Sequence, residues 1–402
     1  MSIGTAFHPR TASLNRKQQW REWSGYWASS AYADHHDIEY NAIREAAALI
    51  DVSPLYKYRV AGPDATRLVD RVITRDATKL RVGQVYYTPW CDEHGKVVDD
   101  GTIHRLGESE YRWTAADPQF RWLRLNAAGL DVDVEDVSES TAALALQGPL
   151  SRDVLEAATG ESFADLRYFR RRSSHIGDIA IDVSRTGYTG DLGYELWVTA
   201  ERAADLWDAV ATAGRSFGAR PAGMLALDVV RLEADLILLE VDYTSASHAV
   251  IPEQAYSPFE IGLGRLVDLD KPADFVGRQA LSAEHGAGGP PRRLVGLELD
   301  WTDIDRLHAG QGLPPVAPSA VSHEHVPVFD VGARGGRGQV GRMTSHGWSP
   351  ILKQAIGLAS VPPAYAMPGT RVAVEWTVEA HRGRVAGRVV ELPFLRLERK
   401  TG

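Results

Sequence analysis

A chain of 402 residues with 44% hydrophobic and 24% charged residues has the composition of an ordinary globular protein with room for two or three domains. Its formal net charge of −9 argues against general nucleic-acid binding, which needs a basic face. Cys91 is the only cysteine, which excludes an internal disulfide and a cysteine-based zinc site. No apolar run approaches the roughly 18 residues of a membrane span and no apolar leader opens the chain, so the expectation is a cytoplasmic enzyme without nucleic-acid or membrane partners.

The first 35 residues are polar and aromatic, with Trp20, Trp23, Tyr26 and Trp27, and are expected to form a lid or clasp. Apolar spacing from Ile38 to Ile50 predicts a helix ending at Asp51-Val52-Ser53-Pro54. Alternation over 56–60 predicts a strand, and Gly62-Pro63-Asp64 opens a helix over 65–72. Strands are expected at 85–90, 97–104 and 111–114, a helix at 119–128 and a strand at 132–137. After Thr141 the mixture repeats, with helices at 151–158 and 202–213, which fits two related α+β lobes. Gly286-Ala287-Gly288-Gly289-Pro290-Pro291 is a linker by composition. Beyond it, turn signals at 310–318, 332–338 and 362–369 separate short alternating runs such as 372–376 and 385–390, predicting a small antiparallel barrel or sandwich.

The richest stretch is Ser184-Arg185-Thr186-Gly187-Tyr188-Thr189-Gly190-Asp191-Leu192-Gly193-Tyr194-Glu195-Leu196, set between two strand-like runs. Such a turn gathers Tyr188, Asp191 and Glu195. It can wrap a flat polar heterocycle, with a ring to pack on it and a carboxylate to accept paired N–H donors; read alone, it is equally an ordinary Gly-rich hairpin. It is a poor phosphate loop, since no Lys-Ser/Thr follows and a glutamate stands where positive charge is needed. Asp99 and Asp100 alternate across a strand, so one can face a cavity while the other faces out or caps a turn.

Read with Gly95-Lys96-Val97-Val98-Asp99-Asp100, Ala143-Leu144-Ala145-Leu146-Gln147-Gly148-Pro149, Arg231-Leu232-Glu233-Ala234, Ser257-Pro258-Phe259-Glu260-Ile261-Gly262-Leu263 and Thr344-Ser345-His346-Gly347-Trp348-Ser349-Pro350, this stretch resembles the aminomethyltransferase family, whose type member is the T-protein of the glycine cleavage system. The match runs from about Asp37 to the end. The resemblance implies an α+β three-domain cloverleaf with tetrahydrofolate in a central channel and a C-terminal antiparallel β-barrel-like domain. Its parts would be 1–55 with 145–250 as one folate-binding lobe, 56–144 with 251–285 as the other, and 292–402 as the barrel. It also implies that Glu195 binds the pterin edge, that Asp100 is the catalytic aspartate beside the reactive nitrogens, and that Tyr87, Tyr188 and Tyr168 contact the cofactor. Any of these tyrosines can instead be a core residue with a satisfied hydroxyl.

Departures from the T-protein pattern concern the substrate side. Ser53-Pro54-Leu55 stands for Ser-His-Met, Thr114-Ala115-Ala116-Asp117 for Asn-Ala-Ala/Ser-Asn, and Leu227 for an active-site arginine. Loss of that cation makes the expected substrate pocket more apolar. The stretch from Glu240 to His248 adds Asp242, Tyr243 and His248. Tyr243 is the candidate acid or substrate anchor, with a surface-packed loop tyrosine as the alternative. Trp90 and His248 join Leu227 as candidate pocket residues, whereas Cys91 reads as a buried apolar residue. His35 and His36, flanked by Asp34 and Asp37, read as a polar helix start rather than a shared metal site, so no metal is expected. The expected activity is a tetrahydrofolate-dependent one-carbon transferase, a demethylase moving a methyl group from a small methylated donor, methoxyaromatics among the candidates, to N5. One alternative is an aminomethyltransferase that works with a lipoyl carrier protein, and the other is a folate-binding protein without turnover.

Overall fold

The computed structural model describes residues 2–332 and 338–402. Strand alternation builds two sheets before residue 250. One has five antiparallel strands in the order Val85–Cys91, Val97–Gly107, Glu110–Ala115, Tyr56–Ala61, Asp133–Asp136. Its inward residues Tyr58, Val60, Ile103, Tyr111 and Trp113 are fully buried, and the helix Ala65–Val72 packs Leu68, Val69 and Val72 into the same core. The other has six strands in the order Arg171–Ile176, Ile179–Ser184, Gly193–Thr199, Thr141–Gln147, Ala48–Asp51, Arg220–Pro221. Helices Ser151–Thr159 and Ala203–Gly214 cover it through Val154, Leu155, Leu206, Trp207 and Val210. A third core cluster joins residues from both sheets to the helix Met224–Glu233, the segment 256–281 and the barrel residues Ile356 and Leu358.

The C-terminal part is a closed six-stranded antiparallel barrel, in the order Arg293–Leu299, Gln354–Val361, Gln339–Ser349, Val326–Asp330, Arg371–Val378, His381–Val390, the last pairing back onto the first. Barrel, not sandwich, is therefore the outcome at this end. The turn expected at 332–338 falls for the most part outside the described residues. The N-terminal residues behave as a clasp: Trp20–Trp23, Tyr26–Ser29 and Ile3–Gly4 form a small sheet. From it Ser24 Oγ reaches the Ala116 carbonyl at 3.1 Å, and the Ser30 carbonyl accepts from Leu225 N at 3.0 Å. No described helix is long and apolar enough to cross a membrane.

The helix expected over 38–50 is corrected. It spans Asp37–Glu45, and Ala48–Asp51 is a strand between Thr141–Gln147 and Arg220–Pro221. Gly148, at φ +123°, lies so close to the helix end that a Cβ there would fall 2.7 Å from the Ala46 carbonyl and 2.8 Å from that of Ile43. Sheet pairing on two sides overrides the helical preference of the alanines.

Candidate functional site

The strand pair Val85–Cys91 and Val97–Gly107 sets Pro89 opposite Asp100 and Tyr87 opposite Thr102. Asp99 and Asp100 go opposite ways. Asp99 is fully buried and accepts from the backbone N–H groups of Asp100 at 2.7 Å and of Ala116 and Asp117 at 3.0 Å, tying the turn after Glu110–Ala115. Asp100 faces the interior between two phenols. Tyr87 Oη donates to its Oδ2 at 2.7 Å, and the fully buried Tyr243 donates to its Oδ1. Burial raises the Asp100 carboxyl above the ordinary carboxylate range, and the two hydroxyls pull it back. Burial pushes Asp99 up further, aided by the charge of Asp100. Burial also raises both phenols, Asp100 adding to it, so each holds its proton and donates.

Tyr188 brings a third ring to this place. Its hydroxyl donates to the Leu236 carbonyl at 3.1 Å and to that of Ile237, and it senses the charge of Asp100. Tyr87 and Tyr188 pack on the core cluster that contains Leu227 and Tyr243. The strand pair 141–147 and 193–199 sets Glu195 opposite Ala145. Thr186 Oγ1 donates to Glu195 Oε2 at 2.5 Å, and among the described residues Glu195 makes no ion pair. Burial raises its carboxyl, while Thr186 and the more distant Arg112 hold it down; Arg112 itself is engaged with Asp182 at 2.8 Å. Tyr168 lies half-buried near Glu195, its phenol pushed up to about 12 by burial. Arg265 is a cation sensed by both Tyr87 and Tyr168, and it also lines a cleft of about 430 Å³ with Arg75, Lys79 and Tyr86.

Three expectations are corrected. Trp90 does not face a pocket: it is fully buried, edge-on to Trp113 at 5.0 Å, because its strand turns that face to the five-stranded core. His248 is exposed, held between Asp117 Oδ2 and Glu240 Oε1 at 3.0 Å each, since its loop runs over the surface there. The turn 184–196 does not gather its three polar residues, for Asp191 points away into Arg44 at 3.3 Å and Arg399 at 2.6 Å. Its glycines serve packing. A Cβ at Gly187 or Gly193 would lie 2.1 or 2.2 Å from the Gln147 carboxamide, and one at Gly190 would lie 2.3 Å from Ala234 Cβ. Gln147 Nε2 donates to the carbonyls of Thr186 and Tyr194 at 3.2 Å, and its Oε1 accepts from Thr189 at 2.8 Å. His35, His36 and Asp37 do bring ligand-type atoms within 4.8 Å of one another, with His36 buried against the Ser319 carbonyl.

Sequence reasoning passed over Arg112, Arg265 and Asp235. Arg112 alternates with the core residues Tyr111 and Trp113, so its outward direction was readable from the strand period. Arg265 and Asp235 sit in irregular segments, where no periodicity marks a direction. Asp235 holds a left-handed φ of +57°, and its Oδ1 is buried without a hydrogen-bond partner among the described residues.

Comparison with known proteins places the chain by family and fold. The GCVT N-terminal domain matches residues 6–271, and the glycine cleavage T-protein C-terminal barrel domain matches residues 292–395. The chain is 37% identical to the trimethylamine-oxide aldolase of Ruegeria pomeroyi over 98% of this chain and 47% of that protein, so it spans about half the length of that relative. It is 38% identical to the aminomethyltransferase of Moorella thermoacetica, covering 90% of each chain. The fold is similar to the crystal structure of glycine cleavage system aminomethyltransferase T from Bartonella henselae, with a TM-score of 0.82, 24% identity and 98% of both chains covered.

Proposed function

The chain belongs to the glycine cleavage T-protein family, and on that footing we propose that this enzyme is a tetrahydrofolate-dependent one-carbon transferase, acting as a demethylase on a small methylated donor. The observation that carries the reading is the half-buried carboxylate of Asp100, oriented by Tyr87 and Tyr243, together with Glu195, which is held by Thr186 and makes no ion pair among the described residues. The residues suit a reduced pterin. A half-buried glutamate with no cation in contact is a costly arrangement unless paired N–H donors arrive to meet it, and Tyr168 offers a ring near it. When bound, tetrahydrofolate supplies the nitrogen nucleophile that accepts the one-carbon unit.

In this reading Glu195 fixes the orientation of the heterocycle. Asp100 would stabilise positive charge that develops at the reacting nitrogen and take up its proton as the bond from the methyl carbon to the donor breaks, and that proton would leave with the departing group. Tyr243, whose O–H is committed to Asp100 and whose acidity is suppressed by burial, acts as an anchor of that carboxylate rather than as an acid for the leaving group. Leu227 gives the donor an apolar wall. The aldolase relative, named for trimethylamine oxide, favours an N-methyl donor over a methoxyaromatic one. The second reading, an aminomethyltransferase working with a lipoyl carrier protein, is favoured by the relatives that carry that name.

Calorimetric titration with tetrahydrofolate, on wild type and Glu195→Ala in parallel, tests the proposal. Micromolar binding that weakens by about 2–4 kcal/mol in the variant is expected for loss of a buried charged anchor. Absence of binding to the wild type overturns the reading. Dependence of turnover on an added lipoyl carrier would move the assignment to the aminomethyltransferase.

A further inference from the structure

Two segments singled out in the sequence, Arg231-Leu232-Glu233-Ala234 and Thr344 to Pro350, meet around a third residue, Asp242. Arg231 and Asp242 are both almost wholly inaccessible. Arg231 Nη1 donates to Asp242 Oδ2 at 2.7 Å, and the Leu238 N–H donates to the same oxygen at 2.9 Å. On Oδ1, Thr344 Oγ1 and Ser345 Oγ of the barrel donate at 2.7 and 2.6 Å, while Arg231 Nη2 donates to Ser345 Oγ at 2.9 Å. The carboxylate thus carries four donors from a helix, a loop and the barrel. The next residue in the chain is Tyr243, whose hydroxyl ends on Asp100.

We infer that Asp242, clamped by Arg231 and by the barrel hydroxyls of Thr344 and Ser345, is a positioning residue that aims Tyr243 at Asp100. The barrel thereby takes part in the site without touching it. Asp242 could have met Arg231 alone and left the backbone free to swing; four donors leave its carboxylate one orientation and hold the main chain at Tyr243 with it. The inference rests on the proposed function only for the identity of the reaction, since the aim of Tyr243 is a property of the free protein. The charged and titratable groups around Asp100 are Tyr87 from its own sheet, Tyr188 from the 184–196 turn and Tyr243, with Asp99 adjacent in the chain but turned to the other strand face. Those around Asp242 are Arg231, Asp228 with its partners His323 and Arg21, Asp235 and Tyr188.

The test follows the Asp100 carboxyl directly, by ¹³C NMR titration of protein carrying carboxyl-labelled aspartate, with the signal assigned through Asp100→Asn. Losing a phenol donor raises a buried carboxyl, so Tyr243→Phe is expected to move its midpoint up by about half a pH unit or more. Asp242→Asn should produce a shift of similar size, and Asp242→Asn/Tyr243→Phe should add nothing to the single Tyr243→Phe. Thr344→Val/Ser345→Ala, which keeps the Arg231–Asp242 pair, should give a smaller shift in the same direction. A folded Asp242→Asn protein with the wild-type midpoint, or shifts that add in the double variant, overturns the inference. Should Asp242→Asn fail to fold, the barrel pair decides, and an unmoved midpoint there overturns it equally. Tetrahydrofolate titrated into the wild type in parallel separates the two proposals: no folate binding removes the function assigned above and leaves the Asp100 shifts to stand or fall alone.

Discussion

At the scale of single residues, two carboxyls carry opposite lessons. Asp100 is half-buried and satisfied, with a phenol on each oxygen, so its replacement should disturb chemistry more than folding. Asp100→Asn keeps the shape and loses the charge. It is expected to lower turnover by about 10²–10³-fold with tetrahydrofolate affinity held within about tenfold, a kcat effect read by steady-state kinetics. Full turnover in that variant would remove the assigned role. Asp235 is half-buried, with its Oδ1 left without a hydrogen-bond partner among the described residues, and burial, then the charge of Asp242, pushes its carboxyl up to about 7. The folded state therefore keeps a proton that the unfolded chain releases at ordinary carboxylate pH. Stability contributed by the protonated group is complete below about pH 4 and is lost as pH rises to about 7. Asp235→Asn removes that loss, and asparagine accepts the left-handed backbone. The variant should match wild type in thermal midpoint near pH 4 and exceed it at pH 8, by on the order of 1–3 kcal/mol. A variant equally or less stable at pH 8 would show that Asp235 already has a partner in solution.

At the scale of elements, the Leu-Gln-Gly-Pro segment explains why the fold closes where it does. Gln147 fastens the 184–196 turn from below, and Gly148 lets the chain pass against the end of helix Asp37–Glu45. A methyl group at Gly193 has no room beside Gln147. Gly193→Ala should cost about 1–3 kcal/mol by denaturant unfolding. Because the clash is with one side chain, Gln147→Ala should recover part of that loss, giving a coupling energy of about 0.5–2 kcal/mol. Strict additivity would mean that the strand backbone, not Gln147, sets the limit. The same elements mark what the sequence could and could not convey. Strands with clean alternation, such as 56–61 and 110–115, and the amphipathic helix 65–72 were readable to within a residue or so, since burial on one face imposes the period. The strand Ala48–Asp51 was not, because its apolar run continues the helical spacing before it and only partners from residues 141–147 and 220–221 decide between the two states. Tyr87 and Tyr243 meet on Asp100, and Tyr188 lies close enough to sense its charge, but direction failed for Trp90 and His248. Trp90, three residues beyond Tyr87 in an unbroken stretch of strand, falls on the opposite face, a direction that the alternation carried, whereas His248 lies in an irregular loop with no period to assign a face.

At the scale of the whole molecule, one buried ion network holds the parts together. Glu233 accepts from Tyr40 at 2.7 Å, from Ser349 of the barrel at 2.6 Å and from Arg44 at 2.6 Å. Arg44 continues to Asp191 of the 184–196 turn at 3.3 Å, and Asp191 to Arg399 of the C-terminal tail at 2.6 Å. Two acids and two arginines alternate, so the network is neutral as a set and carries a charge once any one member is removed. Burying two ion pairs contributes little net stability compared with an apolar core, because each ion leaves water at a large cost. Breaking the set is a different matter. Arg44→Met leaves Glu233 with two hydroxyl donors and no cation, and should destabilise by about 3–5 kcal/mol. Adding Glu233→Gln removes the stranded charge while keeping an acceptor for Tyr40 and Ser349. Arg44→Met/Glu233→Gln should therefore be more stable than Arg44→Met alone by about 1–3 kcal/mol, a second change rescuing the first. Equilibrium unfolding of the two variants beside wild type reads this directly. If the double variant is the less stable of the two, Glu233 is held chiefly by its hydroxyl partners, and the Arg231–Asp242 clamp on Thr344 and Ser345 remains as a charged link between the barrel and the rest of the chain.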